Sequence, residues 1–218
     1  HAISDPEPRV RSEAARGIAA IGRPAVAKLA QRLTHIPPPE VRDSIVDTLV
    51  ALGEGAVPET LDMLQGSSPE LWEAAATVLG RIGADAVPAI RSALGHADPE
   101  VRSHAIRAAS QTGDVSLVPQ LMSMVEGPNP RVAGEAIRAL ALLGDPRGAP
   151  AVVRALGSPD GAVRDALRFA LPRFGDSLAG ALVERLVDDD PAVVEQAASA
   201  LKLLDGGVEA LIEGTHNG

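Results

Sequence analysis

PEVRDSIVDTLVALG, residues 39–53, decides the fold. Its apolar residues Val41, Ile45, Leu49 and Leu52 stand at 0, +4, +8 and +11, the spacing of one face of an α-helix. Pro39 suits a first helical position, where the missing amide is no loss. Gly53 suits a residue that must turn left-handed to end the helix. The phrase recurs as PRVRSEAARGIAAIG from Pro8, PELWEAAATVLGRIG from Pro69, PEVRSHAIRAASQTG from Pro99, PRVAGEAIRALALLG from Pro130, GAVRDALRFALPRFG from Gly161 and PAVVEQAASALKLLD from Pro191. The anchors Val10, Val41, Leu71, Val101, Val132, Val163 and Val193 follow one another at 30 or 31 residues. Twelve residues after six of them stands Gly22, Gly53, Gly83, Gly113, Gly144 or Gly175, and Asp205 takes that place in the seventh.

Asp5, Ser68, Asp98, Asn129, Ser158 and Asp190 each precede a proline, as acceptors able to cap the first amides of a helix. A shorter second helix is predicted after each glycine, as in AVPETLDML (56–64), AVPAIRSAL (86–94) and LVPQLMSMV (117–125). Its apolar face reads Val57, Leu61 and Leu64 in the second copy and Val87, Ile90 and Leu94 in the third. Two amphipathic helices per period must bury their faces on each other and on neighbouring copies, which makes a quasi-one-dimensional stack. The sequence therefore predicts one all-α domain over residues 1–218, a right-handed α-solenoid of about seven two-helix repeats. Their approximate bounds are 5–35, 36–66, 67–96, 97–127, 128–157, 158–187 and 188–214.

The D-P-x-V-R start, the small residues four and five positions on, the glycine and the A-V-P opening of the second helix resemble HEAT-like repeats. They are most similar to the short bacterial repeats also found in phycobilisome lyase subunits. The resemblance spans nearly the whole chain and implies a fold far more than a function. It also implies that the second helices line the concave side. On those helices the positions opposite the apolar stripe are Gln31, Asp62, Ser92, Ser123, Arg154 and Glu184, flanked by Met63, Met122 and Met124. This ridge is the candidate partner-binding surface, with methionine as an adaptable contact residue and Arg154 as a holder of a partner carboxylate. Trp72, where other copies have Arg11, Arg42, Arg102 and Arg164, reads either as an exposed binding anchor or as a cover for the neighbouring turn. The arginine position itself recurs beside acidic residues, which favours a scaffold role over ligand contact. Pro172 falls inside a first helix, where it removes one hydrogen bond and invites a kink.

Composition narrows the chemistry. The 218 residues carry a net charge of −9, with no Cys, no Tyr, one Trp and two Phe. An acidic chain poor in aromatics lacks both the cationic stripe and the stacking platforms of a nucleic-acid binder. Without Cys there is no disulfide, thiolate metal site or thiol nucleophile. The histidines His1, His35, His96, His104 and His216 form no His-x-x-x-His pair. Asp188, Asp189 and Asp190 precede a repeat start and read as helix capping rather than as a calcium loop. Gly53-Glu54-Gly55 joins two helices and is no phosphate cradle. No catalytic residue, cofactor or metal is expected, and no apolar run reaches a membrane span. Residues 1–35 hold six basic and three acidic groups, and residues 36–65 hold one and six. One uniformly charged ligand track is therefore excluded.

The resulting expectation is a non-enzymatic, cytoplasmic protein-binding scaffold or adaptor with a protein partner. The alternatives are a lyase-type subunit acting on a tetrapyrrole-carrying protein, or a regulatory domain of a larger polypeptide. His1-Ala2-Ile3-Ser4-Asp5-Pro6 reads like the inter-repeat linker His96-Ala97-Asp98-Pro99, so the array is expected to be a fragment of a longer protein.

Overall fold

Most first helices begin where a side-chain acceptor meets the first free amides. In the computed structural model, which describes residues 5, 7–33, 37–66, 68–202 and 204, Asp98 accepts from the Glu100 amide at 2.9 Å. Asn129 accepts from those of Arg131 and Val132, both at 3.1 Å. Asp190 accepts from Ala192 at 2.9 Å. Two of the expected caps differ. The Ser68 hydroxyl donates to the Glu70 carboxylate at 2.7 Å and leaves the amides uncapped. In the sixth repeat the helix starts at Gly161, so Asp160 is the cap and Ser158 stands outside it. The six glycines at +12 all have positive φ, from 51° at Gly175 to 77° at Gly22. Gly83, at φ 73° and ψ −128°, occupies a region closed to any residue with a Cβ.

Two compact units follow, His1–Asp114 and Val115–Gly218. The first holds α1 (Pro8–Ile21), α2 (Arg23–Leu33), α3 (Pro39–Ala51), α4 (Val57–Met63), α5 (Pro69–Ile82), α6 (Val87–Ala93) and α7 (Pro99–Thr112). The second holds α8 (Val118–Val125), α9 (Pro130–Leu143), α10 (Ala149–Arg154), α11 (Gly161–Phe174), α12 (Ala179–Glu184) and α13 (Pro191–Leu201). Helix makes up 82% of the described residues and no strand occurs among them, so the chain is an all-α solenoid of paired helices. Odd-numbered helices are the first helices of the repeats and even-numbered ones the second, so α7 and α8 of the fourth repeat fall in different units. The second helix expected in the seventh repeat, the end of that repeat at 214, and the linker-like start at 1–4 and 6 lie outside the described residues.

Within each unit the core is a thin layer of aliphatic side chains between helices. Ile45, Leu49, Leu64, Leu79, Ile90 and Ile106 in the first unit, and Leu121, Ile137, Leu140 and Leu182 in the second, are almost completely buried. Each contributes about 1.5–3 kcal/mol by leaving water. Alanine fills the closest contacts, with Ala105 and Ala109 of α7 and Ala136 of α9 at 0% exposure. Short 3-10 turns at Gly53–Ala56, Gly83–Ala86, Val115–Leu117, Pro146–Gly148 and Gly175–Leu178 carry the chain into the second helices. Pro172 lies in the last turn of α11, and the helix runs on through it to Phe174, with the Gly175 amide bonded to the Leu171 carbonyl.

The recurring arginines hold the loops between repeats. Arg102 donates to the carbonyls of His96 and Ala97, each at 2.8 Å. Arg11 donates to that of Asp5 at 2.8 Å, and Arg164 to that of Pro159. At three of the four sites where acidic partners were expected the arginine thus donates to backbone oxygens, and at the fourth Arg42 meets a carboxylate, Asp43, at 3.4 Å. The role is structural, as the recurrence implies.

Candidate protein-binding surfaces

The second helices turn one side to the core and the other to water. In the first unit Gln31 of α2, Asp62 of α4 and Ser92 of α6 are exposed. In the second, Ser123 of α8, Arg154 of α10 and Glu184 of α12 are exposed as well. Arg154 does not stand alone: its Nε lies 2.6 Å from Oε1 of Glu126, with both side chains about half exposed. Ser123 returns its hydroxyl to the Gln120 carbonyl at 2.7 Å. Met122 and Met124 are half-buried beside it. Met63, expected on the flank of the ridge, is only 5% exposed and belongs to the core. The reason is a rotated stripe. Val57, Thr60, Met63 and Leu64 face inward while Leu61 is half-buried, and the buried Thr60 hydroxyl is satisfied by the Ala56 carbonyl at 2.7 Å.

Trp72 of α5 packs against the neighbouring first helix α7. Its ring stacks on His104 of α7 with centroids 4.3 Å apart and planes at 10°. The Arg107 guanidinium carbon lies 4.9 Å from the Trp72 ring centroid. His104 is 5% exposed, and its Nδ1 bonds the Leu64 carbonyl at the end of α4 at 2.7 Å. With Nδ1 donating, the histidine closes an orphan carbonyl at a helix end. Trp72 is half-buried, with one face already occupied.

Sequence reasoning placed the working surface on the second helices and missed depressions along the first ones. In the first unit a groove of about 470 Å³ runs between α3 and α5, edged by Arg42, Asp43, Asp47, Glu70, Glu73 and Arg81. The Arg81 guanidinium bridges it to Asp47 at 2.7 Å. The Ser68 hydroxyl and the Glu70 backbone amide hold the Glu70 carboxyl below the usual carboxylate range. In the second unit a more apolar trough of about 380 Å³ lies between α11 and α13. Neighbouring first helices elsewhere approach one another more closely. Gly134 of α9 allows α11 close enough that an added Cβ would meet the Ala162 carbonyl oxygen at 2.9 Å. Gly80 of α5 plays the same part against Gln111 of α7. At the equivalent positions α11 carries Asp165 and Pro172.

Among the described residues no group of three or more His, Asp or Glu is placed to hold a metal ion. Asp190 caps α13, and Asp188 pairs with Arg185 at 2.8 Å, so the acidic run is absorbed by local structure. No helix of the described residues is long and apolar enough to cross a membrane.

No curated protein matches the sequence. Among solved structures the chain is similar to Kap121p bound to Pho4p, at 17% identity and a TM-score of 0.60. That match covers 95% of this chain and 27% of the other, so the chain spans little more than a quarter of that protein's length. It is also similar to an engineered protein at 22% identity and a TM-score of 0.49, over 94% of each chain. A designed armadillo repeat protein in complex with the peptide (KR)4 aligns at 14% identity and a TM-score of 0.42, over 85% of this chain and 99% of that one. At these identities the likeness concerns fold alone. The sequence pattern of HEAT repeats matches residues 1–67, 57–128 and 118–202. With the pattern covering nearly all of its length and the paired helices in place, the chain belongs to the HEAT repeat family.

Proposed function

We propose that this chain is a non-enzymatic protein-binding scaffold whose second-helix ridges meet the partner. The observation that carries the reading is the exposure of one equivalent position in every described second helix: Gln31, Asp62 and Ser92 in one unit, Ser123, Arg154 and Glu184 in the other. The recurring arginines and the caps, by contrast, are spent on holding the fold. Kap121p, which shares the fold, is itself seen bound to a protein, and the reading extends that use to this chain.

Arg154 is the test. Paired with Glu126 at the surface, it contributes about 0–1 kcal/mol to stability. Arg154→Glu therefore leaves the fold intact while setting two carboxylates side by side where a partner carboxylate would sit. Capture of partners from a cell extract, followed by titration of any purified partner, is expected to show affinity reduced about tenfold for Arg154→Glu. The double variant with Glu126→Arg restores the pair in reverse and is expected to stay folded without recovering binding. Unchanged affinity for Arg154→Glu, with loss on Arg138→Glu of the first helix α9, would move the working surface off the ridge.

A further inference from the structure

The trough between α11 and α13 is built from named features. Its floor is Leu156, Leu167 and Ala200, each 3–6% exposed, with half-buried Leu171 at the lip. It runs on past Leu171 and Ala200 into a second depression of about 270 Å³ that adds Pro172, Leu178 and Leu204. The first volume lies at the low end of the roughly 300–1,000 Å³ of small-molecule pockets and the second just below it, and both open to solvent. Such a trough suits a row of side-chain anchors better than a cofactor. Its walls are helices whose backbone groups are bonded internally, so no strand edge offers main-chain pairing to an extended peptide. From Arg164 to Gly175 the wall runs about 16 Å, three turns of a helix.

We propose that this trough docks a short amphipathic helix of a partner protein, with acidic residues along the flank that faces α11. The proposal rests on the protein-binding reading of the chain, but puts this contact on first helices rather than on the second-helix ridge. An incoming helix lays apolar residues at i, i+3 or i+4, and i+7 into a groove of this form. The small residues Ser199 and Ala200 on α13 let its backbone come close. Charge sets its polarity. The α11 rim carries Arg164 and Arg168, whereas the α13 rim carries Glu195 and Gln196. Arg168 is steadied by Asp165 at 2.7 Å and Arg164 by the Pro159 carbonyl. A guanidinium has five N–H donors, so each arginine keeps donors for a carboxylate on the visitor. An acidic flank laid against Glu195 instead would be repelled.

The test uses the whole chain and a fluorescein-labelled peptide of about 16 residues, long enough to be helical in an Ala-rich background. The probe has leucines at i, i+4 and i+7 and glutamates along one flank, and binding is read by anisotropy. Ser199→Phe fills the trough from an exposed position and is expected to weaken binding at least about tenfold. Arg164→Glu with Arg168→Glu is expected to weaken it about three- to tenfold. A probe with lysines in place of the glutamates is expected to bind about tenfold more weakly, and Arg154→Glu is expected to have no effect. Circular dichroism confirms that each variant is folded. The proposal is overturned if the glutamate probe fails to bind the folded chain, if the lysine probe binds equally well, or if Ser199→Phe binds like the parent. Loss of the probe on Arg154→Glu alone would also overturn it, by assigning the peptide to the ridge. Those results leave the scaffold reading standing, because that reading falls separately, when the extract yields no partner for either surface.

Discussion

Single residues in this chain are mostly committed to the backbone. Arginines bond loop carbonyls and short acceptors bond helix amides. Asp145 shows how such a residue couples to pH. Its carboxylate accepts from the Arg147 side chain at 2.6 Å and from the Arg147 amide at 2.9 Å. These contacts, the side chain's first, hold the Asp145 carboxyl below the ordinary carboxylate range. A carboxyl depressed in the folded state contributes stability that is fully present above its unfolded value of about 3.9, and that is lost as pH falls through the depressed folded value. Asp145→Asn keeps a capping acceptor but cannot titrate. Urea unfolding of parent and variant is expected to give a stability gap that is constant from about pH 7 to 5 and narrows below about pH 4. A gap that does not change with pH would remove Asp145 from the acid response. At this scale the sequence was read unevenly. The caps Asp98, Asn129 and Asp190 and the six glycines were legible because their chemistry is local. The partners of Arg102, Trp72 and Met63 were not, because they are chosen by a loop fold, by a helix 32 residues away and by the rotation of α4.

Helices in this chain are distinguished by how closely they let their neighbours come. Gly134 and Gly17 both sit inside first helices, yet they serve different ends. An added Cβ at Gly134 would meet the Ala162 carbonyl oxygen at 2.9 Å, whereas at Gly17 it would meet nothing within 4 Å. Gly134→Ala must therefore push α11 away from α9 and is expected to cost about 1–3 kcal/mol. Gly17→Ala removes backbone freedom from the unfolded chain without a clash, and is expected to gain about 0.5–1 kcal/mol. Denaturation midpoints of the two variants check both signs. If both stabilise, close approach is not what Gly134 provides. The same logic makes the trough beside α11 intelligible after the fact. Pro172 was visible as a departure from the repeat, but no periodicity says what the space between two first helices will be. Pro172 also shows the limit of a residue rule: placed in the last turn, it costs one hydrogen bond and does not stop α11.

Across the whole chain, the fold was almost completely legible, because a repeat states its message seven times and errors in one copy are corrected by the others. The function was not, because repetition encodes the positions that must stay the same, and a binding surface consists of those free to vary. Some contacts reach past the adjacent repeat, as where the Gly157 amide of the fifth donates to the Gln196 side chain of the seventh at 3.2 Å. His104 of the fourth repeat bonds the Leu64 carbonyl of the second, across the ring of Trp72 in the third. In an array joined only through adjacent repeats, opening can stop at any boundary. A bond that skips a repeat adds second-neighbour coupling, so these three must open together. Native-state hydrogen exchange is expected to give the amides of α4, α5 and α7 one shared opening free energy. His104→Ala is expected to split it into separate values. If the parent already shows separate values, the skip contact does not couple them. Where it holds, this stretch of the chain behaves as a single rigid block, and a partner gripping any part of the block would feel the stiffness of all of it.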